Sequence, residues 1–395
     1  MKPDIPPIPR PYVPVARWTP PHLHVILLFF LCLFTLATAA QARSAKRGIC
    51  YGYHAPADLA AISPGVSWWY NWALTPESGV ADVYQNYAME FVPMAWNGSF
   101  DASRLRAFLK THPDVKYILG FNEPNFLDQA NMPPTAAAAA WPALESIADE
   151  FGLQIVGPAV NFCGNCVAEK GVTYTDPVKY LDDFFAACPK CRVDYIAVHN
   201  YMCYQSALTW YLGNFYKYGK KIWLTEFACW DQPASTVTPQ FQIAYMKDAL
   251  TALENDTMVF RYAWFIGRTS AIDSYPYQSV FGAAPGTLTA LGSQYVSHPA
   301  GTTVGRKQGK PASAGLRLSR SPIPYTFTLS GAGLEKGPAP SIAVVNCAGR
   351  AVPVKIALSD KPMTMRLSLS GAAPGMYVLS VRLQGHTSTF MAVID

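Results

Sequence analysis

The feature that most constrains the fold is the alternation of short apolar runs with longer helix-like stretches between residues 47 and 296. Eight runs have the length and composition of strands buried on both faces: 48–53, 67–72, 90–96, 116–121, 154–160, 194–201, 221–227 and 259–266. The helix-like stretches between them include 101–111, 135–151, 176–187 and 239–255. Eight strand–helix repeats in about 250 residues predict an α/β chain that closes into a (β/α)8 TIM barrel over residues 47–296.

Two glutamates fall where the chemistry of such a barrel is expected. The run 116–121 leads into Asn122-Glu123-Pro124, and Pro124 cannot continue a central strand. Glu123 is therefore predicted at the carboxyl end of the fourth strand, and Glu226 at the carboxyl end of the seventh. Active sites of these barrels lie at that end. Paired carboxylates there are typical of enzymes that cleave glycosidic bonds, in which one acid protonates the leaving oxygen and the other attacks or activates water.

Aromatic residues cluster near the same predicted strand ends. Flat rings provide large apolar surfaces, and such a surface suits the C–H face of a sugar ring. The candidates for this platform role are Trp68, Trp69, Trp72, Trp96, Tyr201, Trp230 and Trp264. No glycine-rich phosphate turn follows the first strand, which argues against a nucleotide-binding fold. We expect neither a cofactor nor a metal at the site.

Four motifs, in this order, resemble those of glycoside hydrolase family 128, a group of secreted retaining β-1,3-glucanases. The motifs are Gly120-Phe121-Asn122-Glu123-Pro124-Asn125, Val156-Gly157-Pro158-Ala159, Val198-His199-Asn200-Tyr201 and Trp223-Leu224-Thr225-Glu226-Phe227. The similarity covers roughly residues 48–293. The family belongs to the large clan whose acid/base and nucleophile lie on strands four and seven.

This resemblance implies specific roles in an endo-β-1,3-glucanase that works by double displacement. Glu123 resembles the acid/base, and Glu226 resembles the nucleophile. Asn122 would bond the sugar hydroxyl beside the reacting carbon, and Trp264 would be the platform under the distorted ring. The residues expected to line the cleft near the nucleophile are His199 and Tyr201. A retaining enzyme of this kind should hold its carboxyl groups about 5–5.5 Å apart.

The cysteines form two Cys-x-x-Cys pairs, Cys163 with Cys166 and Cys188 with Cys191. Their spacing is close to that of a zinc ribbon, but the segment between the pairs contains a predicted helix. An exported chain favours disulfides over zinc. The pairing among these four cysteines stays open. Three further cysteines lie in or beside predicted strands and are interpreted as buried free thiols: Cys50, Cys203 and Cys229.

Residues 1–42 are predicted to be a secretory signal with a long amino-terminal arm. Residues 25–36 are apolar apart from Cys32 and Thr35, and Ala40-Gln41-Ala42 has the small-x-small pattern of a cleavage site. The alternative is an uncleaved signal anchor, although the apolar run is short for a bilayer span. Either way we expect a protein that is secreted or held at the cell surface or cell wall. The membrane would be contacted only through this segment.

The composition changes after the barrel. Residues 297–324 are rich in Gly, Ser, Pro, Lys and Arg, which predicts a linker. Six short apolar runs separated by Gly and Pro then predict a small Ig-like β-sandwich over residues 325–395. The segment 375–381 resembles the C-terminal sorting domains of type nine bacterial secretion. A carbohydrate-binding or spacer module is the alternative.

The overall composition limits the possible partners. Charged residues make up 14% of the chain, and the net charge of +5 is not concentrated in a basic patch with interleaved aromatics. Nucleic acid is therefore not expected. The expected partner is a β-glucan polysaccharide or oligosaccharide, bound by a monomer. Two alternatives stay open from the sequence: a glycosidase of the same mechanism on another β-linked glycan, and a non-catalytic carbohydrate-binding protein.

Overall fold

The structure is a computed structural model. It describes residues 43–301 except 272 and 275, and, further on, residues 317–321, 325–330, 334, 340–346, 352–358, 364–369, 371–373, 375–383 and 386–394. The predicted signal at 1–42 and most of the predicted linker lie outside the described residues.

A sheet of eight parallel strands forms the centre of the fold. The strands are β1 (Arg47–Cys50), β2 (Trp68–Tyr70), β3 (Glu90–Phe91), β4 (Tyr117–Leu119), β5 (Gln154–Val160), β6 (Tyr195–Asn200), β7 (Ile222–Phe227) and β8 (Val259–Trp264). Their order is β3-β2-β1-β8-β7-β6-β5-β4, and a parallel bridge between Met94 and Leu119 joins the two edges. Each strand overlaps one of the predicted runs. The predicted (β/α)8 barrel is therefore confirmed.

Helices and short turns connect the strands. The α-helices are α1 (Pro56–Ile62), α2 (Ala102–Thr111), α3 (Pro134–Phe151), α4 (Pro177–Ala187), α5 (Gln205–Gly213), α6 (Pro239–Asn255) and α7 (Ala290–Ser297). Short 3-10 turns occur at Tyr84–Tyr87, Tyr216–Tyr218 and Ala234–Thr236, and a hairpin pairs Ala168–Glu169 with Val172–Thr173. Local capping explains several starts: Asp101, Asp176, Thr238 and Thr289 each accept a hydrogen bond from a backbone N–H in the first turn of the helix that follows.

The barrel core has two apolar layers because side chains alternate between the two faces of each strand. The outer layer packs the strands against the helices and includes Trp69, Trp141 and Trp264. The inner layer fills the barrel and includes Trp68 and Trp223, with Trp72, Trp96 and Phe265 packed against it. The side chains that face the barrel interior at the carboxyl end of the strands are therefore available for a site.

The remaining strands form two antiparallel sheets. They are β9 (Arg317–Arg320), β10 (Thr326–Ser330), β11 (Ser341–Asn346), β12 (Lys355–Leu358), β13 (Thr364–Ser368), β14 (Gly375–Leu383) and β15 (His386–Ile394). One sheet has the order β9-β10-β13-β12, and the other has the order β11-β14-β15. The two sheets contribute to one apolar cluster, which includes Phe327, Leu367 and Leu379. The prediction of a linker to residue 324 was wrong at β9, because Arg317–Arg320 pairs antiparallel with β10.

None of the helices in the described part of the chain combines the length and the apolar character that crossing a membrane requires.

Candidate active site

Two glutamates meet at the carboxyl end of the barrel. Glu123 follows β4, and Glu226 lies near the end of β7. One oxygen of each carboxylate and a ring nitrogen of His199 all lie within 4.8 Å of one another. The sequence prediction that strands four and seven bring two acids together is borne out by this distance.

Glu226 is held by three hydrogen-bond donors. Its Oε1 accepts from the Tyr70 hydroxyl at 2.9 Å and from Trp72 Nε1 at 2.8 Å. Its Oε2 accepts from the Tyr201 hydroxyl. Donors on both oxygens fix the plane of the carboxylate and its direction into the cleft.

The two phenols around Glu226 remain donors at neutral pH. Burial raises the pKa of Tyr70 and of Tyr201 well above the usual 10, and the negative charge of Glu226 raises both further. Both hydroxyls therefore keep their protons at neutral pH. Tyr70 is supplied by β2 and Tyr201 by the segment after β6, so Glu226 is held from two sides of the barrel.

His199 lies between the two acids and is fully buried. Its Nδ1 is 2.9 Å from Glu123 Oε1 and 3.6 Å from Glu226 Oε2. Burial by itself lowers the pKa of His199, but the charge of Glu226 and the hydrogen bond and charge of Glu123 outweigh it, so the pKa is raised above 6.5. Glu123, His199 and Glu226 also form a group whose ligand atoms lie close enough together to hold a metal ion.

The backbone is strained at two of these positions. Glu123 has φ of 40° and Trp72 has φ of 57°, both in the left-handed region that residues with a side chain rarely adopt. Such conformations cost about 1–3 kcal/mol each and persist where surrounding structure enforces them. At Glu123 two backbone hydrogen bonds hold the chain: the Asn122 N–H donates to Trp96 O at 2.9 Å, and the Phe126 N–H donates to Glu123 O at 3.0 Å.

Aromatic rings form one wall beside Glu226. The Phe265 ring packs edge-to-face against Trp72 at 6.1 Å and against Tyr201 at 5.7 Å. It is stacked with Trp230 at 6.2 Å, and Trp230 is 37% exposed. Of these four rings, that of Trp230 is the most exposed.

The family comparison matches this barrel. The model described as "Glycosyl hydrolase catalytic core" covers residues 48–295, which run from the second residue of β1 to the sixth residue of α7. The chain belongs to this glycosyl hydrolase family.

Solved structures place this glycosyl hydrolase among the GH128 enzymes. An endo-β-1,3-glucanase of GH128 subgroup II from Sorangium cellulosum is 42% identical, covers 65% of this chain and 99% of its own, and has a TM-score of 0.57. Another from Pseudomonas viridiflava is 40% identical, with 66% and 100% coverage and a TM-score of 0.59. A subgroup I enzyme from Amycolatopsis mediterranei, solved with laminaritriose, is 28% identical, with 65% and 100% coverage and a TM-score of 0.52. The resemblance to family 128 is confirmed.

A curated relative is also similar to this chain. Alkali-sensitive linkage protein 1 of Schizosaccharomyces pombe is 28% identical over 243 residues, which are 60% of this chain. The match spans only 41% of the length of that relative.

One predicted platform residue is wrongly assigned. Trp264 is fully buried in the outer layer, where its Nε1 donates to Gln278 O at 2.9 Å and its ring packs against Phe227 at 5.0 Å. Because side chains alternate along β8, residue 264 points away from the interior while its neighbour Phe265 points into the inner layer. Phe265 therefore takes the place by the cleft that the resemblance had given to Trp264.

The other aromatic residues predicted as platforms divide into residues that lie at the site and residues that lie in the core. Trp72 and Trp230 lie at the site, as described above. Trp96 is half-buried and packs against the inner layer of the barrel, and its carbonyl accepts from Asn122 N–H. Trp68 and Trp69 are fully buried and are core residues, so their interpretation as platforms was wrong.

Asn122 is almost fully buried beside Glu123. Its Nδ2 donates to Gln129 Oε1 at 3.1 Å, while its Oδ1 has no hydrogen-bond partner among the residues that the structure describes. A buried acceptor without a partner favours a ligand group at that position. The role of Asn122 toward a sugar hydroxyl stays a prediction.

Two site residues were missed from the sequence. Tyr70 was interpreted only as part of an apolar strand, although Trp68 and Tyr70 share one face of β2 and the Tyr70 hydroxyl reaches Glu226. For Phe265, the platform role was assigned instead to its neighbour Trp264. In both cases the period of two along a strand was the available signal.

The cysteines form three disulfides in the described residues: Cys163–Cys166, Cys188–Cys191 and Cys203–Cys229. The disulfide interpretation of the two Cys-x-x-Cys pairs is confirmed, and the pairing is within each pair. The prediction of free thiols was wrong for Cys203 and Cys229, whose Cα atoms are 4.2 Å apart. They lie just beyond the paired residues Asn200 and Phe227 of neighbouring β6 and β7. Cys50 is a buried free thiol, as predicted.

Proposed function

We propose that this chain is a retaining endo-β-1,3-glucanase that cleaves β-glucan by double displacement. The observation that carries the proposal is the position of Glu123 and Glu226, with an oxygen of each inside one 4.8 Å cluster. Retaining glycosidases hold their carboxyl groups about 5–5.5 Å apart, whereas inverting enzymes need roughly 6.5–9.5 Å to fit a water between them. One oxygen of Glu123 and one oxygen of Glu226 lie no more than 4.8 Å apart, and this proximity supports direct attack by a carboxylate.

In the first step a Glu226 oxygen attacks the anomeric carbon. The bond from that carbon to the leaving oxygen breaks, its electron pair goes to the leaving oxygen, and Glu123 gives that oxygen its proton. The product is a glycosyl ester on Glu226 and an ionised Glu123. In the second step Glu123 takes a proton from water, the resulting oxygen attacks the same carbon, and Glu226 leaves as a carboxylate.

The three donors on Glu226 have a defined role in this scheme. In the first step they orient the attacking carboxylate. In the second step negative charge returns to Glu226, and the donors Tyr70, Trp72 and Tyr201 are already in place to receive it. Such preorganised donors stabilise developing charge without rearrangement.

The substrate class is argued from the aromatic wall and from the relatives. Phe265 and the partly exposed Trp230 offer apolar surface next to the nucleophile. The structures that share 40–42% identity over the barrel are endo-β-1,3-glucanases. Both carboxylates are present, which argues against a binding protein that has lost turnover.

The setting of the enzyme is part of the proposal. Three disulfides in the described residues favour an oxidising compartment, which agrees with the secretory signal expected at residues 1–42. We further propose that the two antiparallel sheets after residue 316 form a small β-sandwich module, and that the enzyme works as a monomer outside the cell or at the cell wall.

The test is a reducing-end assay on laminarin, cellulose and mannan. Release from laminarin in preference to the other two supports a β-1,3-glucanase. Preference for another glycan would change the substrate assignment, and no release from any would overturn the proposal.

Replacing Glu226 by Ala should abolish turnover, and azide should restore part of it. Glu150→Ala is the matched control, because Glu150 is an exposed helical carboxylate paired with Arg106.

A further inference from the structure

An exposed aromatic ring outside the proposed nucleophile site lies on the loop after β5. Phe162 is 39% exposed, and the Trp210 ring of α5 lies parallel to it, with an interplanar angle of 3° and a centroid distance of 6.3 Å. Trp210 is itself partly exposed. A single exposed apolar residue is ordinary on a protein surface, so exposure alone is no argument. The surroundings of Phe162 provide the argument.

The loop that carries Phe162 is firmly held. Cys163, the next residue, is bonded to Cys166 and is nearly buried. The Cys163 N–H donates to Thr175 O at 3.1 Å, and the Phe162 N–H donates to the side chain of Asn161 at 2.8 Å. An exposed ring on such a fixed backbone has less conformational freedom to lose when a ligand binds, which lowers the entropic cost of binding.

The same loop is joined to the segment that carries Glu123. A parallel bridge pairs Asn122 with Ala159, three positions before Phe162. The side chain of Asn125 donates to Asn161 O at 2.8 Å, and the Val167 N–H donates to Asn125 O at 2.9 Å. The loop that carries Phe162 therefore lies on the Glu123 side of the barrel, at the carboxyl end of the strands, and the Phe162 ring packs there against Trp210 and Tyr211 of α5.

The chemistry of the proposed reaction predicts which part of the substrate lies on the Glu123 side. Glu123 protonates the leaving oxygen, so the sugar that departs must extend from the reacting bond past Glu123. Glucose rings have a flat C–H face, and a fixed aromatic ring is the side chain best suited to cover it.

We infer that Phe162, supported by Trp210, is a subsite for a leaving-group sugar of the glucan chain. The inference rests on the proposed function and adds a residue to it. The ring binds the departing chain during cleavage. In the reverse direction it holds an acceptor sugar that competes with water for the glycosyl-enzyme.

The test compares a substrate that has leaving-group sugars with a substrate that has none. Laminarihexaose has leaving-group sugars, whereas β-laminaribiosyl fluoride releases fluoride and has none. Phe162→Ala should lower kcat/KM on laminarihexaose about 3- to 10-fold, the range expected for an aromatic contact, and leave the fluoride unchanged. Transfer to added laminaribiose should fall relative to hydrolysis.

Three further variants guard the interpretation. Phe162→Tyr keeps the ring and should behave as wild type, and Phe162→Leu keeps apolar bulk without the flat face and should behave as Phe162→Ala. If Phe162→Ala fails to fold, Phe162→Leu decides the question. Tyr216→Ala removes a ring that is 36% exposed in the turn before β7, at the opposite end of the barrel, and should change neither substrate.

Equal losses on both substrates, or no loss on laminarihexaose, would overturn the subsite. A wild-type enzyme that cleaves neither substrate would instead overturn the proposed function, and the subsite with it.

Discussion

Removing the Cys203–Cys229 disulfide should destabilise the barrel without stopping catalysis at moderate temperature. The two cysteines are 26 residues apart in sequence, and both side chains are almost fully buried. A cross-link that closes a loop of this length removes chain entropy from the unfolded state worth about 3.5 kcal/mol at 25 °C. For a domain of about 250 residues this corresponds to a fall in Tm of about 7–14 °C.

The structure also provides the matched comparison. Cys188 and Cys191 are separated by only 3 residues, so the same reasoning gives about 1.6 kcal/mol, or about 3–6 °C, for their disulfide. The double variants Cys203→Ala/Cys229→Ala and Cys188→Ala/Cys191→Ala should therefore lower the Tm by clearly different amounts.

Activity at 25 °C should survive in both variants. The loops after β6 and β7 remain joined by the Trp230 N–H bond to Tyr201 O at 2.9 Å and by the Cys203 N–H bond to Asp231 at 3.0 Å. Thermal unfolding by circular dichroism and laminarin hydrolysis at 25 °C are the measurements. A Cys203/Cys229 variant that melts no lower than the control pair would refute the loop-length reasoning, and a folded variant without activity would show that these hydrogen bonds do not keep the site in order.

Three further predictions concern the site itself. Tyr70→Phe should lower kcat on laminarin about 10- to 100-fold in steady-state assays, because a buried donor to the Glu226 charge at 2.9 Å is lost; unchanged kcat would show that this donor is dispensable. The raised pKa of His199 means that its protonated form stabilises the fold below about pH 6.5 and that this contribution disappears as pH rises through the folded-state value. The Tm difference between wild type and His199→Gln should accordingly be larger at pH 6 than at pH 9, and the reverse order would contradict the geometry. Glu123→Ala should lose about 10²- to 10⁴-fold on laminarin but far less on a 2,4-dinitrophenyl β-laminaribioside, which needs no acid; equal losses would argue against Glu123 as the acid.

The barrel was predictable because its signal is repeated. Eight apolar runs with helical segments between them leave few other folds, and Pro124 marks where the fourth strand must stop. The strand positions of the two glutamates then follow from the chain order alone. None of these steps needs a long-range contact to be guessed.

The details of the site depend on contacts that the chain order does not give. The Cys203–Cys229 bond forms because β6 and β7 are neighbours with His199 opposite Glu226, and this register is a property of the closed sheet. Trp264 was misassigned because one position along a strand reverses the direction of a side chain. The strand β9 was missed because its partner, β10, supplies the pairing that Arg317–Arg320 alone does not indicate.

The most direct test of the double-displacement account is the anomeric configuration of the first product. Proton NMR of a laminari-oligosaccharide during the first minutes of hydrolysis distinguishes the β-anomer from the α-anomer before mutarotation mixes them. Attack by Glu226 from within the 4.8 Å cluster predicts that the β-anomer appears first. Initial release of the α-anomer would mean that water, not Glu226, attacks the sugar, and would contradict the account.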